Sequence, residues 1–442
     1  MSIRIKPLSG FPEFLPAGRL AEQAVQDMLR EVFELHGFAP IETRAVETMD
    51  SLTRKGEITK EVYVVRRLHA EDGAGDQLGL HFDLTVPFAR YVTENAGHLA
   101  FPFRRYQIQK VWRGERPQEG RYREFVQADI DIVGENTLAA HHDVEVALVM
   151  LEVFERLHTQ FGLPPVVMHV NNRLLAEGFY RGLGVEDHLA VLQRVDKLDK
   201  IGPAAVVGLL VDELGLTPEQ AQACLDLATI QAADTSFVDR VRALGVSHPL
   251  LDEGLDALAA VVEAASAVVP GRLIADLKIA RGLDYYTGTV YETEMEGFAS
   301  LGSICSGGRY DSLATDGKRT WPGVGISIGL SRILAPLIGK GEFTASRSVP
   351  TCVLVAVDTE ETRASSLDIA ARLRARGIPA EVAPKADKYG RQIRYADRRG
   401  IPYVWFGASV KDIRSGDQAD ADPDTWMPPT DDLHPTVSYT AS

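Results

Sequence analysis

Apolar and polar residues alternate with different periods along this chain, and the changes of period mark its elements. In LAEQAVQDMLREVFELH (20–36) apolar residues recur every three or four positions, which predicts an amphipathic helix that Gly37 stops. FAPIETRAVE carries a proline at position 40 and suits the start or edge of a strand. EVYVVRRL reads as a strand, and LGLHFDLTVPFARYVTEN begins strand-like before turning at Asp83-Leu84-Thr85 into a helix entered at Pro87. Residues 104–133, RRYQIQKVWRGERPQEGRYREFVQADIDIV, predict two strands joined by a polar loop. Phe125, Gln127, Asp129 and Asp131 share one parity, so Gln127 and Asp131 project together with Phe125. Polar groups on a strand face require partners or a ligand. HHDVEVALVMLEVFERLH (141–158) has helical periodicity, and PPVVMHVNNR reads as a strand with a loop.

From about residue 175 to 270 the chain becomes helical and rich in alanine and leucine. Thr217-Pro218-Glu219-Gln220 predicts a helix start, with threonine as cap, proline at the first position and Gln220 closing a capping box. The strand pattern resumes over Leu273 to Ile279, and RGLDYYTGTVYE (281–292) follows, with an arginine, adjacent tyrosines, a carboxylate and two glycines leading into an alternating run. ICSGGRYDSL and WPGVGISIGLSRI close this sheet-rich part, the second read as a strand feeding a helix near Leu330. Its G-x-G-x-x-x-G spacing is not the dinucleotide fingerprint, and no P-loop sequence is present. After a loop over 339–348 the chain restarts as an α/β unit: TCVLVAV, IPAEVA and IPYVWFG as strands, TRASSLDIAARLRAR and KYGRQIRYADRR as helices. The remainder is expected to be a surface loop before a short strand, TVSY.

A chain of 442 residues exceeds one ordinary core, and 45% hydrophobic with 25% charged residues is a soluble, globular composition. No apolar run reaches the roughly 18 to 20 residues of a membrane span, and the first residues lack a secretory apolar stretch, so a cytoplasmic protein with no membrane partner is expected. Cys224, Cys305 and Cys352 are far apart and suit reduced, half-buried thiols; no zinc is expected, and no metal is assigned to protein side chains. The net charge of −15 argues against a polyanion partner, but two basic islands interrupt it. The first is Arg104, Arg105, Lys110, Arg113, Arg116, Arg121 and Arg123; the second runs from Lys385 to Arg399, with Lys388, Arg391, Arg394 and Arg398 on one helix face.

Several separate stretches resemble, in order, the histidyl-tRNA synthetases, a family of class II aminoacyl-tRNA synthetases. Gly37 to Glu42 is similar to motif 1, residues 104–133 to motif 2, and GVGISIGLSRI to motif 3; RGLDYYTGTVYE and SGGRYD are similar to the two peptides that distinguish the histidine enzyme. The resemblance implies an α+β fold: a class II catalytic domain, an antiparallel sheet with flanking helices, over 1–174 and 272–338. It further implies a helical insertion over 175–271 and an α/β anticodon-binding domain over 350–442. It implies a homodimer that activates L-histidine with ATP and Mg²⁺ and passes it to the 3′-terminal ribose of tRNA(His).

By the same resemblance, Arg113 and Arg281 are catalytic cations at the α-phosphate. Glu115, Arg121, Phe125 and Arg332 join Arg113 in binding ATP. Histidine is held by Asp83, Thr85, Gln127, Asp131, Arg281, Tyr285, Tyr286 and Tyr310, with Asp131 and Tyr286 reading the imidazole. Arg116, Gln118, Lys388, Arg391 and Arg394 face tRNA. Many bacterial members carry glutamate where this chain has Asp83 and Asp131, one methylene longer. A competing resemblance is to the non-catalytic regulatory subunit of ATP phosphoribosyltransferase; such paralogues typically lose the arginines and the C-terminal domain that are present here.

Overall fold

The computed structural model describes residues 6–53, 61–69, 77–280 and 285–441. Two compact units emerge, one of residues 1–12, 28–159 and 164–336, the other of 13–27, 160–163 and 337–442.

The first unit is built on a nine-stranded sheet in the order Ala39–Pro40, Phe103–Trp112, Glu124–Val133, Thr320–Gly329, Cys305–Thr315, Thr289–Met295, Val166–Asn172, Leu273–Asp276 and Gln231–Ala232. Its middle strands pair antiparallel, and parallel pairs occur where Ala39–Pro40 meets Phe103–Trp112 and where Val166–Asn172 meets Leu273–Asp276. The alternation in YQIQKVW and EFVQADIDIV has the expected outcome: residues 103–112 and 124–133 form a continuous hairpin in which Arg105 stands opposite Asp131 and Gln107 opposite Asp129. Helix Thr85–Asn95 starts two residues before the expected Pro87. There the Asp83 carboxylate accepts from the Val86 amide at 3.0 Å and supplies the acceptor that a first turn lacks. The helix packs Phe88, Ala89 and Val92 against Val133, Ala314 and Trp321.

The helical stretch runs from Arg173–Gly182 to Pro249–Val268 within the first unit. Its capping box is present: the Gln220 amide donates to Thr217 Oγ1 at 3.2 Å, and the Thr217 amide donates to Gln220 Oε1 at 2.9 Å. Contrary to the purely helical expectation, Gln231–Ala232 adds an edge strand beside Leu273–Asp276, because Gln231 Nε2 donates to Asp276 Oδ2 at 2.8 Å.

The second unit carries a five-stranded sheet in the order Ala380–Val382, Val353–Val355, Tyr403–Phe406, Ser409–Asp412 and Gln418–Asp420, the first three parallel. Trp405 and Cys352 lie in its core. Two expectations are corrected here. The supposed 339–348 loop contains strand Phe343–Ala345, paired with Val437–Tyr439, and the supposed surface tail adds two antiparallel strands to the sheet. Both were hidden by short, polar strands whose stability comes from pairing rather than from their own pattern. All three cysteines are buried and unbridged, and burial pushes the Cys224 and Cys352 thiols up to about 12.

Candidate active site

The hairpin's register places residues of the same parity in rows across four strands. One row runs Arg105, Asp131, Gly325, Gly308; the next runs Gln107, Asp129, Ser327, Ser306. Because side chains two apart share a face, these rows form one polar strip. Glycine in the first row makes room. A Cβ on Gly325 would collide with the Asp131 carboxylate, one on Gly323 with the Tyr310 ring, and one on Gly308 would lie 2.9 Å from the Tyr286 ring. Gly323 and Gly325, whose pattern fails as a nucleotide fingerprint, therefore serve the close approach of Tyr310 and Asp131, and Gly308 that of Tyr286.

Asp131 is the centre of this strip. Tyr310 donates its hydroxyl to Asp131 Oδ1 at 2.8 Å, and Arg105 Nη2 lies 2.6 Å from Asp131 Oδ2, an ion pair off the in-line direction of a hydrogen bond. Arg105 is wholly buried, with its guanidinium 4.3 Å from the centre of the Phe88 ring. Ser327 donates to Asp129 Oδ1, and Gln127 Nε2 donates to Ser327 Oγ at 2.7 Å. Burial raises the Asp129 carboxyl to about 7, with Arg105 pulling it back and Asp131 adding to the rise. Burial first, then neighbouring charge and hydroxyl groups, holds Tyr286 and Tyr310 well above the usual phenol range, so both remain neutral donors. The Tyr285 ring lies tilted at 46° against Tyr286, with ring centres 4.2 Å apart.

Toward the hairpin loop the strip opens into a cleft lined by Arg113, Glu115, Arg121, Phe125, Gln127 and Arg332. Arg113 lies 5.2 Å from the Phe125 ring centre and donates to the Phe82 carbonyl at 2.9 Å. Arg121 reaches Glu115 at 3.5 Å, and Arg332 donates to the carbonyls of Gly120 and Ser303. Gly120, at φ 71°, closes the turn that brings Arg121 back over the cleft, with paired backbone bonds between Gln118 and Arg121. Gln127 Oε1 is buried and has no hydrogen-bond partner among the described residues, which leaves an acceptor at this end of the cleft.

The family description "Histidyl-tRNA synthetase" matches residues 10–333, and "Anticodon binding domain" matches residues 351–406. The chain belongs to the histidyl-tRNA synthetase family. The histidine–tRNA ligase of Cutibacterium acnes is 68% identical across 98% of this chain and 99% of its own, and that of Micrococcus luteus 60% identical across 98% of each. A crystal structure of histidyl-tRNA synthetase from Nostoc sp. superposes with a TM-score of 0.84 at 34% identity, covering 96% of this chain and 98% of that one. An ATP phosphoribosyltransferase regulatory subunit/histidyl-tRNA synthetase structure from Bacillus halodurans shares the fold at 18% identity and a TM-score of 0.74.

Within this synthetase fold, the structure brings together the residues expected at ATP, Arg113, Glu115, Arg121, Phe125 and Arg332, and joins Asp131 to Tyr310. Tyr286 lies over Gly308 beside them, while Asp83 and half-buried Thr85 sit at the start of the neighbouring helix. Arg281 lies outside the described residues. Arg116 and Gln118 are exposed on the hairpin loop; Lys388, Arg391 and Arg394 are exposed on or beside helix Tyr389–Arg399 of the second unit.

The first basic island needs correction. Arg105 is buried against Asp131 and Arg104 pairs with Glu145, so these two cations are engaged by the protein, while Lys110 stays exposed 2.6 Å from Glu124. In the second island Arg399 is engaged by Glu381 and Tyr395, and Arg391 lies 3.1 Å from Asp387. Arg105 and Ser327 were missed as site residues. Their signal was parity: Arg105 stands in phase with Gln107 and Gln109 on a strand opposite EFVQADIDIV.

Proposed function

We propose that this chain is a histidine–tRNA ligase that joins L-histidine to ATP as histidyl-adenylate, releases pyrophosphate and transfers histidine to the 3′-terminal ribose of tRNA(His). One observation supports this reading above the others: a single sheet face carries a cation-lined cleft at one end and the Asp131–Tyr310 pair at the other. That is the order of groups in an aminoacyl adenylate.

In this reading the histidine carboxylate attacks the α-phosphorus, and charge builds on the phosphoryl oxygens beside Arg113. Arg332, braced by two carbonyls, meets the far phosphates, and Phe125 stacks on adenine with Glu115 and Arg121 at its edge. Arginine suits these places because it stays charged and presents a planar fork. The buried Gln127 Oε1, with Asp83 and Thr85, accepts from the α-ammonium. Asp131 takes the imidazole N–H, and Tyr286 meets the other ring nitrogen, with Tyr285 and Tyr310 supporting them. Arg281 joins at the α-phosphate by family resemblance alone. ATP enters with Mg²⁺ carried on its phosphates; among the described residues no group of three or more His, Cys, Asp or Glu side chains could hold a metal ion.

Arg116 and Gln118 approach the acceptor end of tRNA. Lys388, Arg391 and Arg394 contact anticodon bases, in keeping with the concave basic surface formed by Lys385, Arg391, Arg394, Tyr395 and Arg398. In this reading the catalytic core spans 1–174 and 272–338, the helical insertion 175–271 and the anticodon-binding domain 350–442. A homodimer is supported by exposed apolar side chains at Leu35, Val64 and Leu68. A cytoplasmic location accords with the reduced cysteines, and no helix among the described residues is long and apolar enough to cross a membrane.

Amino-acid-dependent exchange of pyrophosphate into ATP, run with all twenty amino acids, is expected to respond to histidine alone. Exchange with none of them, or with another amino acid in preference, overturns the assignment.

A further inference from the structure

The strand that carries Tyr310 is gripped from its other face. Neighbouring residues on a strand point to opposite sides, so Arg309 projects away from the Asp131–Tyr310 pair. Its guanidinium meets the Asp143 carboxylate in the first turn of helix His141–Phe161, with Nε 3.2 and 3.0 Å from the two oxygens. Nη1 and Nη2 donate to the carbonyls of Leu138 and Ala139, at 3.1 and 3.0 Å, just before that helix. Tyr291, fully buried on the adjoining strand Thr289–Met295, donates its hydroxyl to the Asp143 carbonyl at 2.7 Å. The Arg309 and Asp143 side chains are 15% and 5% exposed, and a pair so far from water repays its lost hydration only through good geometry and further hydrogen bonds.

This clamp sits where the sheet holds its strand least. Pairing with Thr289–Met295 has its last partners at Val290 and Gly308, and the register with Thr320–Gly329 slips between Tyr310 and Ala314. Tyr310 thus stands at the edge of an irregularity, where the ladder is locally interrupted. Arg309 also carries the turn that leads into Thr289. Its carbonyl accepts from the Thr287 amide at 2.8 Å, and a Cβ on Gly288 would lie 2.9 Å from its Cδ, so this backbone rests on the arginine stem. Tyr286 directly precedes that stretch and has its ring over Gly308. One residue therefore supports both phenols of the amino-acid end while pointing away from them.

We propose that Arg309 and Asp143 are positioning residues for the amino acid: their clamp behind the sheet fixes where Tyr310 and Tyr286 stand, and with them the fit of the imidazole. This rests on the reading of Asp131, Tyr286 and Tyr310 as the imidazole site. Arg113, Arg121 and Arg332 at the ATP cleft are carried by other elements, the hairpin loop and helix Leu330–Lys340, so loosening the clamp acts on one substrate rather than on both.

The test is pyrophosphate exchange by the full chain, with the KM for histidine, the KM for ATP and kcat measured for wild type and Arg309→Lys. Lysine keeps the charge but cannot grip a carboxylate and two carbonyls as a planar fork. The histidine KM is expected to rise about tenfold, since small displacements of binding groups are costly, while the ATP KM and kcat stay within about threefold. Partial unfolding would lower kcat at unchanged KM values, so the split separates positioning from mere stability. A histidine KM raised less than about threefold, a parallel rise in both KM values, or a fall in kcat alone overturns the proposal. Tyr291→Phe is the second arm should thermal melting show Arg309→Lys unfolded. It keeps the ring and removes one bond to the clamp, and the histidine KM alone is expected to rise about threefold, the worth of one hydrogen bond. An unmoved histidine KM in that variant overturns the proposal as well. Exchange in wild type with unmoved variants sinks only this inference; no histidine exchange in wild type sinks the ligase reading and this one with it.

Discussion

The two ends of the 103–133 hairpin treat charge in opposite ways. Near the loop, the Arg113 and Arg121 side chains are 32% and 49% exposed, and their ties to Glu115 are long, 4.0 and 3.5 Å. At the other end, the Arg105 and Asp131 side chains are 0% and 5% exposed and 2.6 Å apart. The cations beside the loop thus stay partly exposed, while the strand cation Arg105 is spent on the protein's own carboxylates. Exposed pairs contribute little to stability, so removing a member should leave the fold nearly unchanged; a buried pair cannot lose a member without leaving the other charged and dry. Removing a charge should therefore cost activity at one end and fold at the other.

Asp131→Ala should show the largest effect: a loss of about 3 to 5 kcal/mol of stability, since it takes from the buried Arg105 guanidinium its 2.6 Å partner and leaves Asp129 at 3.9 Å. Denaturant unfolding reads this directly, and a loss below about 1 kcal/mol would break the contrast. Arg113→Ala should leave unfolding almost unchanged yet cut the pyrophosphate exchange rate about 100-fold to 1,000-fold, the range for removing one preorganised donor from a transition state. Equal losses of stability at both ends would mean that exposure does not separate the two roles.

A third test uses pH. The Asp129 carboxyl, held up to about 7 in the folded chain by burial, binds its proton more tightly there than in the unfolded chain. Wild-type stability should consequently fall as pH rises from the ordinary carboxylate range toward about 7, and level off above it. Asp129→Asn should lack this loss. Melting curves of the two proteins are expected to differ most above neutral pH and to converge in acid; a difference growing in acid would reverse the sign of the argument. The smallest effect belongs to Arg121→Ala, with a stability change within about 0.5 kcal/mol and a modest rise in the KM for ATP. Calorimetric unfolding beside ATP titration separates the two.

Much of this was legible in linear order. Period-two alternation located the hairpin, and parity put Phe125, Gln127, Asp129 and Asp131 on one face. The Thr217 capping box could be read from four residues because all of its bonds are local. Resemblance supplied the roles of Arg113 and Arg332, and the structure brings both to one cleft from residues more than two hundred positions apart. Arg105 was beyond that reach. Adjacent to Arg104 in a run of cations, it read as part of a basic surface, because alternation separates the two faces of a strand but does not say which face is covered.

The sequence by itself determined the longer periodic elements, the residues that share a face on them and the family, since these follow from local periodicity and from residue identities in order; the short paired strands such as Phe343–Ala345 were not among them. Only the tertiary structure decided which charges are spent and which are available. That depends on the cross-strand register that sets Arg105 opposite Asp131, on the glycines at 323, 325 and 308 that open space in neighbouring strands, and on the Phe88 ring that seals Arg105 away from water. Each is a long-range packing fact, and the strength of a charge depends on how far packing removes it from water.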